Sequence, residues 1–172
     1  MSRGTIAYDE LISYSARVLE ELGYPKEQAE VTAWVLVEAD ARGVASHGVA
    51  RIGWYQTNIE NGFAFPQALP EIVHETPLSL VVDGHNGIGT YIAQFTMTRV
   101  VEKAKSSGAG FGAVRNSNHF GMAGIWAERR TNWPRTRKRS IQRMRRSLTC
   151  GDRSASAVSR ARLLEGVGHA PG

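Results

Sequence analysis

The feature that most constrains what this chain can fold into is a change of character at residue 128. Up to Glu128 the sequence carries helix and strand periods, separated by glycine and proline punctuation. From Arg129 to Arg162 it carries eleven arginines and one lysine, with no apolar period surviving two helical turns. A segment of that kind cannot bury a core. The charge divides at the same point. Residues 1–128 hold 9 Lys/Arg against 14 Asp/Glu, a net of −5, and residues 129–172 hold 12 against 2, a net of +10. The overall +5 is therefore an average of two unlike pieces, and it says little about partners of the body. Such a break is what a shift of reading frame in a GC-rich gene would produce. Residues 129–172 are read as a basic tail, disordered or frameshifted.

Within the body, three helices come first. Leu11, Ile12, Val18, Leu19 and Leu22 set a helical period from Tyr8 to Leu22. A second helix starts at Pro25, carries Ala29, Thr32, Ala33, Leu36 and Ala39 on one side, and stops before Gly43. A third is expected to start behind Ser46 as N-cap and run to Asn61-Gly62. Residues 1–62 thus read as a helical subdomain. Glu71–Glu75 and Leu78–Val82 follow as short strands. Gly84 to Gly89 reads as a tight glycine-rich turn, Thr90 to Lys105 as an amphipathic helix, Phe111–Val114 as a buried strand, and Met122–Glu128 as the opening of another helix. Strand, helix, strand is an α/β unit with a parallel pair, so residues 63–128 read as a partial α/β domain.

Two polar clusters could carry chemistry. In Ser46-His47-Gly48-Val49-Ala50-Arg51, a helix from Ser46 would hold His47, Arg51 and Tyr55 within roughly 80° of one face. A guanidinium can grip a carboxylate and an imidazole can exchange a proton near neutral pH. The same residues also read as a solvated helix face with a capping serine. Asn116-Ser117-Asn118-His119-Phe120-Gly121 lies at the carboxyl end of an expected strand, where α/β sheets bind ligands, or forms a plain asparagine-rich turn. The glycines at 84, 87 and 89 are spaced G-x-x-G-x-G, which is not the dinucleotide fingerprint. His74, His85 and His169 stand isolated in the sequence and read as exposed. No cysteine pair, H-E-x-x-H or carboxylate constellation supports a metal. The lone Cys150 points to a reducing compartment, and the start of the chain lacks a signal-peptide pattern, so the cytoplasm is expected. No apolar run is long enough to span a membrane.

Taken together, the segments resemble the malate/L-lactate dehydrogenase family over roughly residues 5–128. The resemblance rests on Glu38-Ala-Asp40-Ala-Arg-Gly43 leading into Ser46–Arg51, on Tyr55 and Asn61-Gly62, on Val82-Asp83-Gly84 with Gly87 and Gly89, and on Asn116–Gly121. It implies a mixed, non-Rossmann α/β fold, truncated here, with a helical N-terminal subdomain and homo-oligomeric full-length relatives. It further implies hydride transfer between NAD or NADP and a small 2-hydroxy or 2-oxo acid, without a specific nucleic acid or a membrane as partner. By the same resemblance His119 is the proton acceptor, or Ser46 and His47 relay the proton. Arg51 holds the substrate carboxylate and Tyr55 neighbours it. Gly87, Gly89 and Asn118 are the cofactor candidates in a chain whose remaining contacts would lie beyond it, leaving this fragment inactive. The competing reading is a nucleic-acid-binding protein that uses its basic tail.

Overall fold

The computed structural model describes residues 6–128. The expectations for the basic tail, with Cys150, His169 and the nucleic-acid reading built on it, lie outside those residues. The elements are α1 (Tyr8–Glu21), α2 (Lys26–Ala41), a 3-10 turn (Ala45–His47), α3 (Arg51–Glu60), β1 (Glu71–Glu75), β2 (Ser79–Gly87), α4 (Gly89–Ser107), β3 (Phe111–Ser117) and α5 (Ala123–Glu128). The sheet is mixed, ordered β1-β2-β3, with β1 antiparallel and β3 parallel to β2. The expected strand–helix–strand unit is thus β2-α4-β3. Among the described residues no helix is long and apolar enough to cross a membrane.

Helix α2 is the hub. It is buried nearly all round rather than on one side, because two hydrophobic clusters meet on it. On one flank Ala29, Ala33 and Leu36 pack with Ala16 and Leu19 of α1, Tyr24, Tyr55 of α3 and Ile88. On the other, Val35 packs with Ile125 and Trp126 of α5. Several of its buried polar groups are paired: Thr32 Oγ1 lies 2.6 Å from Thr90 Oγ1 at the start of α4. Glu38 accepts from Tyr8 Oη at 2.7 Å and from Arg42 Nε at 2.8 Å. A third cluster, Leu80, Val82 and Ile92, fastens α4 to β2.

Three local expectations need correction. Gly84 to Gly87 is not a turn but the end of β2: Asp83 pairs with Arg115 and Gly87 with Ser117, so residues 84–86 stand opposite the single residue Asn116. The extra length is absorbed by left-handed backbone at His85 (φ 47°), Asn86 (φ 56°) and Asn116 (φ 50°). The strand at 111 runs on to Ser117 and is exposed along its whole length, not buried, since it is an edge strand of the sheet. His85 is exposed but not isolated, for its Nε2 lies 3.1 Å from Glu71 Oε2. His74 is exposed, as expected.

Candidate functional site

The first wall of the site is built at the end of α2. The Asp40 carboxylate accepts the Val49 N–H at 2.8 Å and fills the space in front of the Gly48 Cα, where any side chain would overlap it. This clasp turns the chain sharply between His47 and α3. Ser46 therefore does not cap α3; the residue before that helix is Ala50, with no side-chain cap. His47 sits on the preceding 3-10 turn, and only Arg51 and Tyr55 share the helix. The continuous helix expected from Ser46 is interrupted because a neighbouring helix satisfies the Val49 N–H. Arg51 reaches back instead, donating from Nε to the Ser46 carbonyl at 2.6 Å, which spends one of its five N–H groups. The Ser46 hydroxyl is exposed and lies 2.9 Å from His47 Nδ1.

The second wall is the loop between β3 and α5. Asn118 Nδ2 donates to the Asn86 carbonyl at 2.7 Å and to those of Phe63 and Gly87 at 3.3 Å each. The backbone of Asn118 and His119 then lies directly on Gly89 at the start of α4, a packing that only a residue without Cβ permits. Beyond His119, the Phe120 carbonyl accepts from Trp126 Nε1 at 2.8 Å. His119 is thus held on both sides in sequence.

The two walls bring four side chains of the sequence-based site together. The His119 ring centroid is 5.3 Å from that of His47 and 5.9 Å from that of Tyr55. A hydrogen bond of 2.8 Å joins the buried Tyr55 hydroxyl to His119 Nδ1. His119 Nε2 is buried and has no hydrogen-bond partner, an arrangement that costs about 1–3 kcal/mol unless a ligand completes it. Burial, then the neighbouring His47 and Arg51, lowers the His119 pKa to about 4, so the imidazole is neutral near pH 7. Burial raises the Tyr55 phenol, which stays protonated. In the tautomer whose Nδ1–H donates to Tyr55 Oη, Nε2 presents a lone pair within electrostatic reach of Arg51. Such a set can hold an anion and take a proton from a hydroxyl on it.

The cofactor candidates have other partners. Gly87 is packed against backbone of Gly84 and Ala68, Gly89 against the His119 loop, and the Asn118 amide is spent on three carbonyls. Among the described residues there is no cluster of three or more His, Cys, Asp or Glu side chains able to hold a metal. Two contributors were missed by sequence reasoning. Trp54, 43% exposed, stands edge-on to His119 at 6.1 Å, with the Arg51 guanidinium carbon 5.8 Å from its ring centroid. Its adjacency to Tyr55 on a helix was the available signal. Asp40 was quoted as part of a motif, but only the fold shows that it shapes the His47 turn.

A family model described as malate/L-lactate dehydrogenase matches residues 6–132. The chain is 42% identical over 122 residues to a malate dehydrogenase of Pyrococcus abyssi, covering 71% of this chain and 34% of that protein. It is 41% identical over 111 residues to an L-sulfolactate dehydrogenase of Methanocaldococcus jannaschii, covering 64% and 32% respectively. The solved malate dehydrogenase of Pyrococcus horikoshii OT3 superposes with a TM-score of 0.68 at 36% identity, over 74% of this chain and 38% of that one. The chain thus spans about a third of the length of the relatives it matches.

Proposed function

The chain belongs to the malate/L-lactate dehydrogenase family, and from that premise we propose that it supplies the substrate and proton-transfer side of an NAD(P)-dependent oxidoreductase acting on a small 2-hydroxy or 2-oxo acid. The observation that carries this reading is the buried, unpartnered His119 Nε2, fixed in place by Tyr55 and set beside Arg51. Arg51 grips the substrate carboxylate through the N–H groups left free by its bond to Ser46. His119, neutral at pH 7, takes the proton of the C2 hydroxyl on Nε2 as the alcohol is oxidised, and returns it in the reverse direction. Tyr55 holds the ring through Nδ1, and His47 and Trp54 border the same space. The nicotinamide, when bound, supplies or accepts the hydride. Gly87, Gly89 and Asn118 are the candidates for its contacts within this chain, and most of its contacts would come from the portion of the family fold that this chain does not span.

A second reading keeps the same site but routes the proton through the Ser46–His47 pair, whose 2.9 Å contact is compatible with a relay. Fusing residues 1–128 to the remaining two thirds of the Pyrococcus abyssi malate dehydrogenase gives a chimera in which the roles can be measured. In it His119→Ala should lower kcat by roughly 10²–10⁴-fold while NAD(P)H binding changes little. Near-normal turnover in His119→Ala would refute the assignment.

A further inference from the structure

Asp83 belongs to a motif of the sequence that the proposed chemistry leaves unused, and its surroundings are unusual for a strand residue. It stands at the last regular pair between β2 and β3, opposite Arg115. Immediately beyond it both strands leave extended geometry, at His85 and Asn86 on β2 and at Asn116 on β3. Left-handed conformations at such residues cost of order 1–3 kcal/mol each and persist only when the surroundings over-determine them. The Asp83 carboxylate supplies that determination. It is almost wholly buried, with 7% of its side chain exposed, and accepts the His85 N–H at 2.9 Å and Arg115 Nε at 2.8 Å. Asn116 Nδ2 reaches both its oxygens, at 3.0 and 3.1 Å. These donors come from both strands, and three of the four bonds come from residues with left-handed backbone.

The consequences run directly to the site. The widened end of β2 offers the Asn86 and Gly87 carbonyls to the Asn118 amide, and the residue after Asn118 is His119. Were Asn116 to relax to extended backbone, the side chains beyond it would turn to the opposite face, because strand side chains alternate. We infer that Asp83 is the positioning residue of His119: by tying the widened end of β2 to the end of β3, it sets where the loop that presents the His119 ring begins. This rests on the proposed role of His119 but is testable without it. The charged or titratable groups facing Asp83 are His85 and Arg115, with Glu71 beyond His85; those facing His119 are His47, Arg51 and Tyr55. Arg115 is 60% exposed and its ion pair contributes little, so the Asn116 and His85 arms carry the effect.

The test uses the full 172-residue chain and reads the ring nitrogens of His119 by NMR through a pH titration, with His119→Gln for assignment. His119 should titrate near its lowered value of about 4 in the parent chain. Asp83→Ala should raise the proton affinity of His119 by about tenfold or more, as the ring loses its enclosure. Asp83→Asn, which keeps an acceptor oxygen, should recover part of the loss. Asn116→Gly cuts the tether while glycine keeps φ near 50°, and should behave like Asp83→Ala even if the latter fails to fold. Arg115→Ala should leave the titration unchanged. Val82→Ala removes buried volume on the same strand, lowering stability without touching the carboxylate, and should also leave it unchanged. If Asn116→Gly titrates as Val82→Ala does, the positioning role is refuted. No turnover enters this readout, so it stands or falls separately from the role of His119 in proton transfer.

Discussion

The turn that carries His47 and the loop that carries His119 hold their rings 5.3 Å apart, yet they are built differently. The His47 turn is three residues of 3-10 helix, fastened from below by one carboxylate, with the exposed Ser46 hydroxyl as the partner of its ring. The His119 loop is fastened by the Asn118 amide before it and Trp126 after it, and rests on Gly89. Its ring has a fixed partner on Nδ1 and none on Nε2. Two imidazoles in one site therefore differ in what they can do. One ring nitrogen is dehydrated and held still, which suits a proton transfer that must occur at a set distance. The other ring is only partly buried and has an exposed hydroxyl as its partner.

The sharpest way to break that contrast is kinetic. In the chimera described above, His47→Ala should act mainly on KM, with kcat far less affected than the roughly 10²–10⁴-fold loss expected for His119→Ala. Equal losses in kcat would make the Ser46–His47 pair the relay and erase the distinction. Arg51→Ala, which removes a cation whose charge reaches His119, should cost about 2 kcal/mol in kcat/KM, or roughly thirtyfold, whichever histidine moves the proton.

Smaller effects sharpen the comparison through stability, measured by urea unfolding of the chain itself. Gly48→Ala places a methyl where the Asp40 carboxylate lies and should cost roughly 1–3 kcal/mol. Tyr55→Phe removes only the bond to His119 and should cost about 1 kcal/mol. The pH dependence of stability tests the His119 ring directly. His119 has its folded pKa lowered from 6.5 to about 4, so between those values the unfolded chain binds more protons. Its contribution is complete above about pH 6.5 and is lost as the pH falls through about 4. His119→Asn should flatten the stability profile in that window.

The long elements were legible because their causes are local. The periods of Leu11 to Leu22 and of Ile92 to Ala104 give α1 and α4 within two residues at either end, since a repeated apolar face needs no distant information. What the sequence concealed depends on partners far along the chain. Ser46 has every quality of an N-cap, but Asp40 already takes the Val49 N–H that shapes the turn into α3. Asp83-Gly-His-Asn-Gly87 reads as a turn until Asn116, 33 residues away from Asp83, is known to sit against it. Family motifs mark the candidates His47, Arg51, Tyr55 and His119, while Trp54, which stands beside His119 in the fold, bore no such mark. The expectation of a buried strand at Phe111–Val114 took its apolar residues at face value, and among the described residues nothing lies on the outer side of β3.

That outer side has a consequence for how the chain behaves as a solute. Seven consecutive exposed residues, Phe111 and Val114 among them, border a row of backbone N–H and C=O groups that β2 does not use. Such a row does not discriminate between the proper continuation of the sheet and a second copy of itself. In a full-length relative, annealing to the continuation is first order within one polypeptide, whereas copy-to-copy pairing is second order, so a higher protein concentration favours the second. Dilution during refolding would then favour the monomer, and a lysine in place of Val114 would keep it monomeric at concentrations where the unaltered edge pairs.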